Sequence, residues 1–102
     1  MQYQLVLQFP ATTVDEWDEL IAFEETLTHL FGESASVDGH DFGSGEFNLF
    51  ILTDHPKAVF QQSRKALEKS QPTRSFKAAY RNLDVEDYVT LWPKGLKEFK
   101  VA

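Results

Sequence analysis

The residues of this chain best suited to proton transfer or cation binding stand together in Asp38-Gly39-His40-Asp41. An imidazole beside carboxylates can be oriented as a general acid or base. With Asp54 or His55, the same groups would offer oxygen and nitrogen ligands to a hard cation or to zinc. The spacing departs from that chemistry: there is no H-x-x-x-H, no H-E-x-x-H and no EF-hand loop, so neither a metal nor a cofactor is expected. In an extended segment His40 and Asp41 point to opposite faces and cannot easily serve one centre. The simpler reading is a solvated edge strand, whose charges deter pairing with other chains. His40 and Asp41 stand as catalytic candidates against that reading, and His29 joins them. His29 falls in the last turn of a predicted helix, where a partly charged imidazole suits the dipole. His55 sits beside Pro56 at a helix start, where a polar cap is expected. Gly43-Ser44-Gly45 is too short for a phosphate loop and precedes a strand, and Ser44 and Ser63 lack the setting of a nucleophile.

Charge is distributed with equal selectivity. No Lys or Arg precedes Lys57, and residues 1–56 hold eleven Asp and Glu. Residues 57–102 hold all ten basic side chains with five acidic ones, so −11 and +5 make the net −6 of the chain. An acidic chain lacks the clustered positive field that nucleic acid or an anionic membrane requires, and neither partner is expected. The 102 residues, 42% hydrophobic with nine Phe, suit one packed domain. The absence of cysteine excludes disulfides and thiolate chemistry and agrees with a cytoplasmic location. Met1-Gln2-Tyr3-Gln4 lacks the start of a signal peptide, and the longest apolar run, Leu49 to Leu52, is too short for a bilayer.

The elements that must position these groups follow from periodicity. Tyr3, Leu5, Leu7 and Phe9 alternate with Gln4, Val6 and Gln8, the signature of a strand buried on one face, and Pro10 ends it. Thr13 and Glu16 form a capping box for a helix from Val14 to about Phe31, which Gly32 stops. Its apolar stripe is expected to be Trp17, Leu20, Ile21, Leu27, Leu30 and Phe31, with Phe23 flanking. Its wet face is Asp18, Glu19, Ala22, Glu25, Thr26 and His29. Ser36 to Phe42 and Glu46 to Thr53 are strands joined by a Gly-Ser-Gly hairpin. Phe47, Leu49 and Ile51 face one way, with Asn48, Phe50 and Leu52 opposite. A second helix runs from Pro56 to about Ser70, a fourth strand covers Phe76 to Arg81, and Tyr88 to Trp92 extend once more.

The order strand–helix–strand–strand–helix–strand over residues 3–81 resembles the ferredoxin-like α+β fold, with an extra C-terminal strand or extension. The resemblance lies in element order and lengths; it carries no residue motif and licenses no activity. It implies two helices side by side on one sheet face, the acidic one beside the basic one. Their charges can complement each other within the molecule, each exposed pair contributing under ~1 kcal/mol. Otherwise the acidic face of Asp15, Asp18, Glu19, Glu25 and His29 docks a basic protein partner. The opposite sheet face gathers Gln4, Val6, Gln8, Asn48, Phe50, Leu52, Lys77, Ala79 and Arg81. It lacks the paired aromatics on which an open sheet stacks RNA bases. That face is expected to be covered by Tyr88–Trp92 or by a second subunit. In dimeric α+β-barrel enzymes of this architecture two such faces enclose a pocket, and Lys77 or Arg81 would then hold a small anion. The sequence thus favours a protein-interaction or regulatory binding module, monomeric or homodimeric, without cofactor. Glu19, Glu25, Phe50, Lys77 and Arg81 are its binding candidates. The alternative is a small dimeric enzyme using a His/Asp pair.

Overall fold

A computed structural model describes residues 1–101. The alternating segment forms β1 (Tyr3–Pro10), and Ala35–Gly43, Glu46–Thr53, Lys77–Asn82 and Val89–Trp92 form β2 to β5. All neighbours pair antiparallel in one sheet of order β2-β3-β1-β4-β5. The helices are α1 (Val14–Phe31) and α2 (Pro56–Ser70). The protein is therefore an α+β domain with a five-stranded antiparallel sheet and two helices. Among the described residues no helix is long and apolar enough to cross a membrane.

Burial explains the layering. Leu5, Leu7 and Phe9 of β1 and Phe47, Leu49 and Ile51 of β3 lie on one face, sealed by Leu20, Phe23, Leu27 and Phe31 of α1 and Val59, Phe60 and Leu67 of α2. At roughly 2 kcal/mol per fully buried large apolar side chain, this layer is the main stabilising term of the fold. The stripe expected on α1 is corrected at two positions: Ile21 is 39% and Leu30 49% exposed, while Phe23 is buried. Ile21 and Leu30 stand nine positions apart, about 180° around a helix of 3.6 residues per turn, so one core cannot cover both. Leu30 lines a groove with α2, and Ile21 belongs to the other flank.

The N-terminus of α1 is capped by Thr13, whose hydroxyl accepts the Glu16 amide at 3.1 Å. The Glu16 carboxylate accepts in turn from the Thr12 amide and the Thr13 hydroxyl. These bonds hold its pKa below the ordinary range, the Thr12 amide most and the Thr13 hydroxyl next. The hairpin closes on two residues, Ser44 and Gly45, with φ of 53° and 75°. Positive φ at both central positions matches the twist of the flanking strands.

A bulge interrupts β2. Val37 pairs with Ile51 but Gly39 with Phe50, leaving Asp38 as the extra residue. Gly39 has φ 122°, a conformation that side-chain-bearing residues rarely adopt. Beyond the bulge the strand is re-phased, and His40 and Phe42 face the helices.

The C-terminal segment differs from the expected cover. β5 extends the sheet beside β4, and Trp92 stacks on Phe76 at 5.9 Å on the helix side, with the Arg64 guanidinium 4.1 Å above its ring. The chain turns after Pro93, whose carbonyl accepts the Leu96 amide, and by Lys100 it has reached the opposite face. There the Lys100 carbonyl accepts a bond from Gln8 Nε2 at 2.8 Å, and the Phe99 ring lies 5.0 Å from Tyr88. Val6 and Ala79 are fully buried on this face although neither belongs to the helix-side core.

Candidate functional site

The catalytic candidates are not brought together. His40 lies over Phe47 with ring centroids 4.9 Å apart, and its Nδ1 is 2.9 and 3.0 Å from the two carboxylate oxygens of Glu24. A carboxylate only accepts, so Nδ1 donates and Nε2 is the atom left for other partners. Asp41 stands on the other face, where its carboxylate accepts from Asn48 Nδ2 at 3.0 Å. His29 is exposed on α1, its Nδ1 2.9 Å from the Glu25 carbonyl oxygen. His55 holds the N-cap position of α2 without a side-chain capping bond. It borders an open hollow of about 380 Å³ with Tyr3, Asp54, Lys57 and Tyr80. His40 lines none of the five main hollows among the described residues. Nor does any group of three or more His, Cys, Asp or Glu side chains there suit a metal ion. The carboxylate beside His40 is thus that of Glu24 on α1, while Asp41 lies on the opposite face, as adjacent strand residues do. Gly39 inside a strand is the signal that pointed to the re-phasing.

The sheet-face candidates are held in place by neighbours. Arg81 donates through Nε to Gln4 Oε1 at 3.1 Å and through a terminal nitrogen to the Val85 carbonyl at 3.0 Å. Phe50 is half-buried, and Lys77 is exposed at the rim. At the centre runs a polar chain missed by sequence reasoning. Gln8 Nε2 bonds both the Lys100 carbonyl and, at 2.9 Å, Asn48 Oδ1, and Asn48 continues to Asp41. Gln8 is 3% exposed and Asn48 fully buried, so these amides satisfy each other where water cannot.

The helical layer shows how far the charges neutralise within the molecule. Arg74, in the connector after α2, pairs with Glu16 at 3.8 Å and with Glu19. Arg64 of α2 pairs within its own helix, with Glu68 at 3.3 Å. Among the described residues no cation of α2 pairs with a carboxylate of α1. Asp15, Asp18 and Glu25 thus remain exposed on α1 without an ion pair, and Lys65 and Lys69 likewise on α2. Between the helices lies a groove of about 470 Å³ lined by Thr26, Leu30, Gln62, Lys65, Ala66 and Lys69. Of the binding candidates, Glu19 is engaged by Arg74 and Glu25 is open.

Comparison with family models, with curated proteins and with solved structures gave no match.

Proposed function

We propose that the protein is a small binding module of ferredoxin-like topology, acting in the cytoplasm, whose acidic helix α1 docks a basic protein surface. The observation that carries this reading is the set of unpaired carboxylates Asp15, Asp18 and Glu25 on a helix that leaves apolar Ile21 and Leu30 on its flanks. Charge around apolar anchors is the composition of a docking surface: charge steers the encounter and buried apolar area holds it. The sheet face fits this role less well, because Val6 and Ala79 have no exposed surface there and Gln8 is already bonded to the Lys100 carbonyl.

The test uses a synthetic amphipathic Lys/Leu helical peptide and a scrambled peptide of the same composition. Amide shifts in NMR spectra should move along Asp18, Ala22 and Glu25, with the ordered peptide binding more tightly. Affinity should fall as salt rises past the ~10 Å screening length reached near 0.1 M. Equal binding of the two peptides, or binding unchanged by Asp18→Lys with Glu25→Lys, would overturn the reading.

A further inference from the structure

We infer that the basic surface α1 docks is helix α2 of a second copy of this chain, in a face-to-face two-fold dimer of the helical layers. The inference rests on the α1 docking reading above and names its partner. Its first support is geometry. Gln71 Nε2 donates to the Glu19 carbonyl at 3.3 Å, so the start of α1 lies level with the end of α2. Thr26 and Leu30 then line the groove beside Gln62, Lys65 and Ala66. The helices therefore run antiparallel. A two-fold axis laid along their groove places α1 of one copy on α2 of the other, again antiparallel, as in a four-helix layer.

That operation brings opposite charges together. Glu25 lies as far along α1 from Glu19 as Lys65 lies back along α2 from Gln71, so Glu25 of one copy comes over Lys65 of the other. Lys69, two residues back from Gln71, comes level with Ile21, about one turn along α1 from Asp18. Asp18, Glu25, Lys65 and Lys69 are exposed and, among the described residues, carry no ion pair. The groove lies nearest the axis, so Leu30, 49% exposed, meets its own counterpart there. One surface thereby supplies acid, base and apolar centre, each complementary to itself under the two-fold operation.

Area sets the strength. The 18 residues of α1 span about 27 Å, and two helices of about 10 Å diameter make a footprint of roughly 500 Å² per copy. A total near 1,000 Å² falls among weak, transient contacts, so the dimer should dissociate in the micromolar range or above. Each copy carries −6, so salt screens the repulsion of whole molecules together with the attraction of the facing patches. Charge exchange is the variable that separates the two.

The test is sedimentation equilibrium of the full chain over a wide concentration range, with Glu25→Lys, with Lys65→Glu and with an equimolar mixture of the two variants. Alone, each variant places like charges in both symmetric contacts, and self-association should weaken on the order of tenfold or more. Mixed, they place opposite charges in both contacts and should recover wild-type affinity as a heterodimer, which circular dichroism of each folded variant keeps interpretable. Wild-type protein that stays monomeric at millimolar concentration, or variants that associate as the wild type does, would overturn the dimer. If the Lys/Leu peptide still shifts α1 in that case, only the identity of the partner falls. If it does not, the α1 docking reading falls as well.

Discussion

Replacing Gln8 by Met tests whether the buried amide chain fastens the C-terminal segment to the sheet. Methionine nearly preserves side-chain length and volume, so the cavity contribution stays small. What disappears is the donor shared by Asn48 Oδ1 and the Lys100 carbonyl. Asn48 is fully buried, so its stranded oxygen costs about 1–3 kcal/mol, the desolvation penalty of an unsatisfied acceptor. The bond to the Lys100 carbonyl is only partly buried and Lys100 itself is exposed, so its loss is set at the usual net ~1 kcal/mol. The sum is about 3 kcal/mol, a large fraction of the 5–15 kcal/mol typical of a domain. Urea unfolding followed by tryptophan fluorescence measures it, and amide exchange at residues 96–101 reports whether the segment has come loose. The double variant with Asn48→Leu should lose less than Gln8→Met alone, because no acceptor is left orphaned and Asp41 remains exposed to water. A loss below ~0.5 kcal/mol with unchanged exchange at the C-terminal residues would refute this account of the tie.

Trp17→Ala should destabilise by about 2 kcal/mol, less than the 3–5 kcal/mol of a fully buried indole, because Trp17 is half-buried. It packs 4.8 Å from Phe42 and donates to the Ala11 carbonyl at 3.2 Å; a denaturation midpoint equal to wild type would show that neither contact anchors α1. The depressed pKa of Glu16 gives a stability present above the ordinary glutamate range and lost as pH falls through the folded-state value. Wild type should therefore exceed Glu16→Gln in urea midpoint at neutral pH and converge with it in strong acid. A gap that persists in acid would exclude the carboxylate bonds as its origin.

The strands of alternating pattern were legible because their information is local. Leu5, Leu7 and Phe9 declare one buried face by spacing alone, and Phe47, Leu49 and Ile51 declare the facing one. The Thr13 cap and the two-residue hairpin likewise depend on a few adjacent residues. Three features lay beyond that reach. The α1 stripe was drawn too wide because hydrophobicity alone does not separate Ile21 from Leu30, which sit on opposite flanks of the helix. The bulge at Asp38 depends on pairing with Ile51 and Phe50, and the meeting of His40 with Glu24 depends on how α1 packs against β2. The tie of residue 100 to the sheet depends on Gln8 and Asn48, whose shared hydrogen bonds join segments far apart in sequence and leave no local pattern. Even Arg74, which neutralises part of α1, comes from a connector rather than from the basic helix.

These misses bear on where binding can occur. A five-stranded sheet offers two faces and two edges to a partner. The helices close one face; on the other, Val6 and Ala79 have no exposed surface and Gln8 is bonded to the Lys100 carbonyl. At one edge, β2 carries Asp38 and Asp41 and is bent by its bulge; at the other, β5 has only four residues. Short, charged or bulged edges resist strand addition. The broad surface that remains is the outer side of α1 and α2. There the division of charge along the chain becomes a division across space, with Asp18 and Glu25 on one helix and Lys65 and Lys69 on the other. Had the two helices paired their charges with each other, that surface would be electrically spent. Because, among the described residues, α1 takes its basic partners from Arg74 and His40 alone, its outer carboxylates stay free to attract a cationic surface.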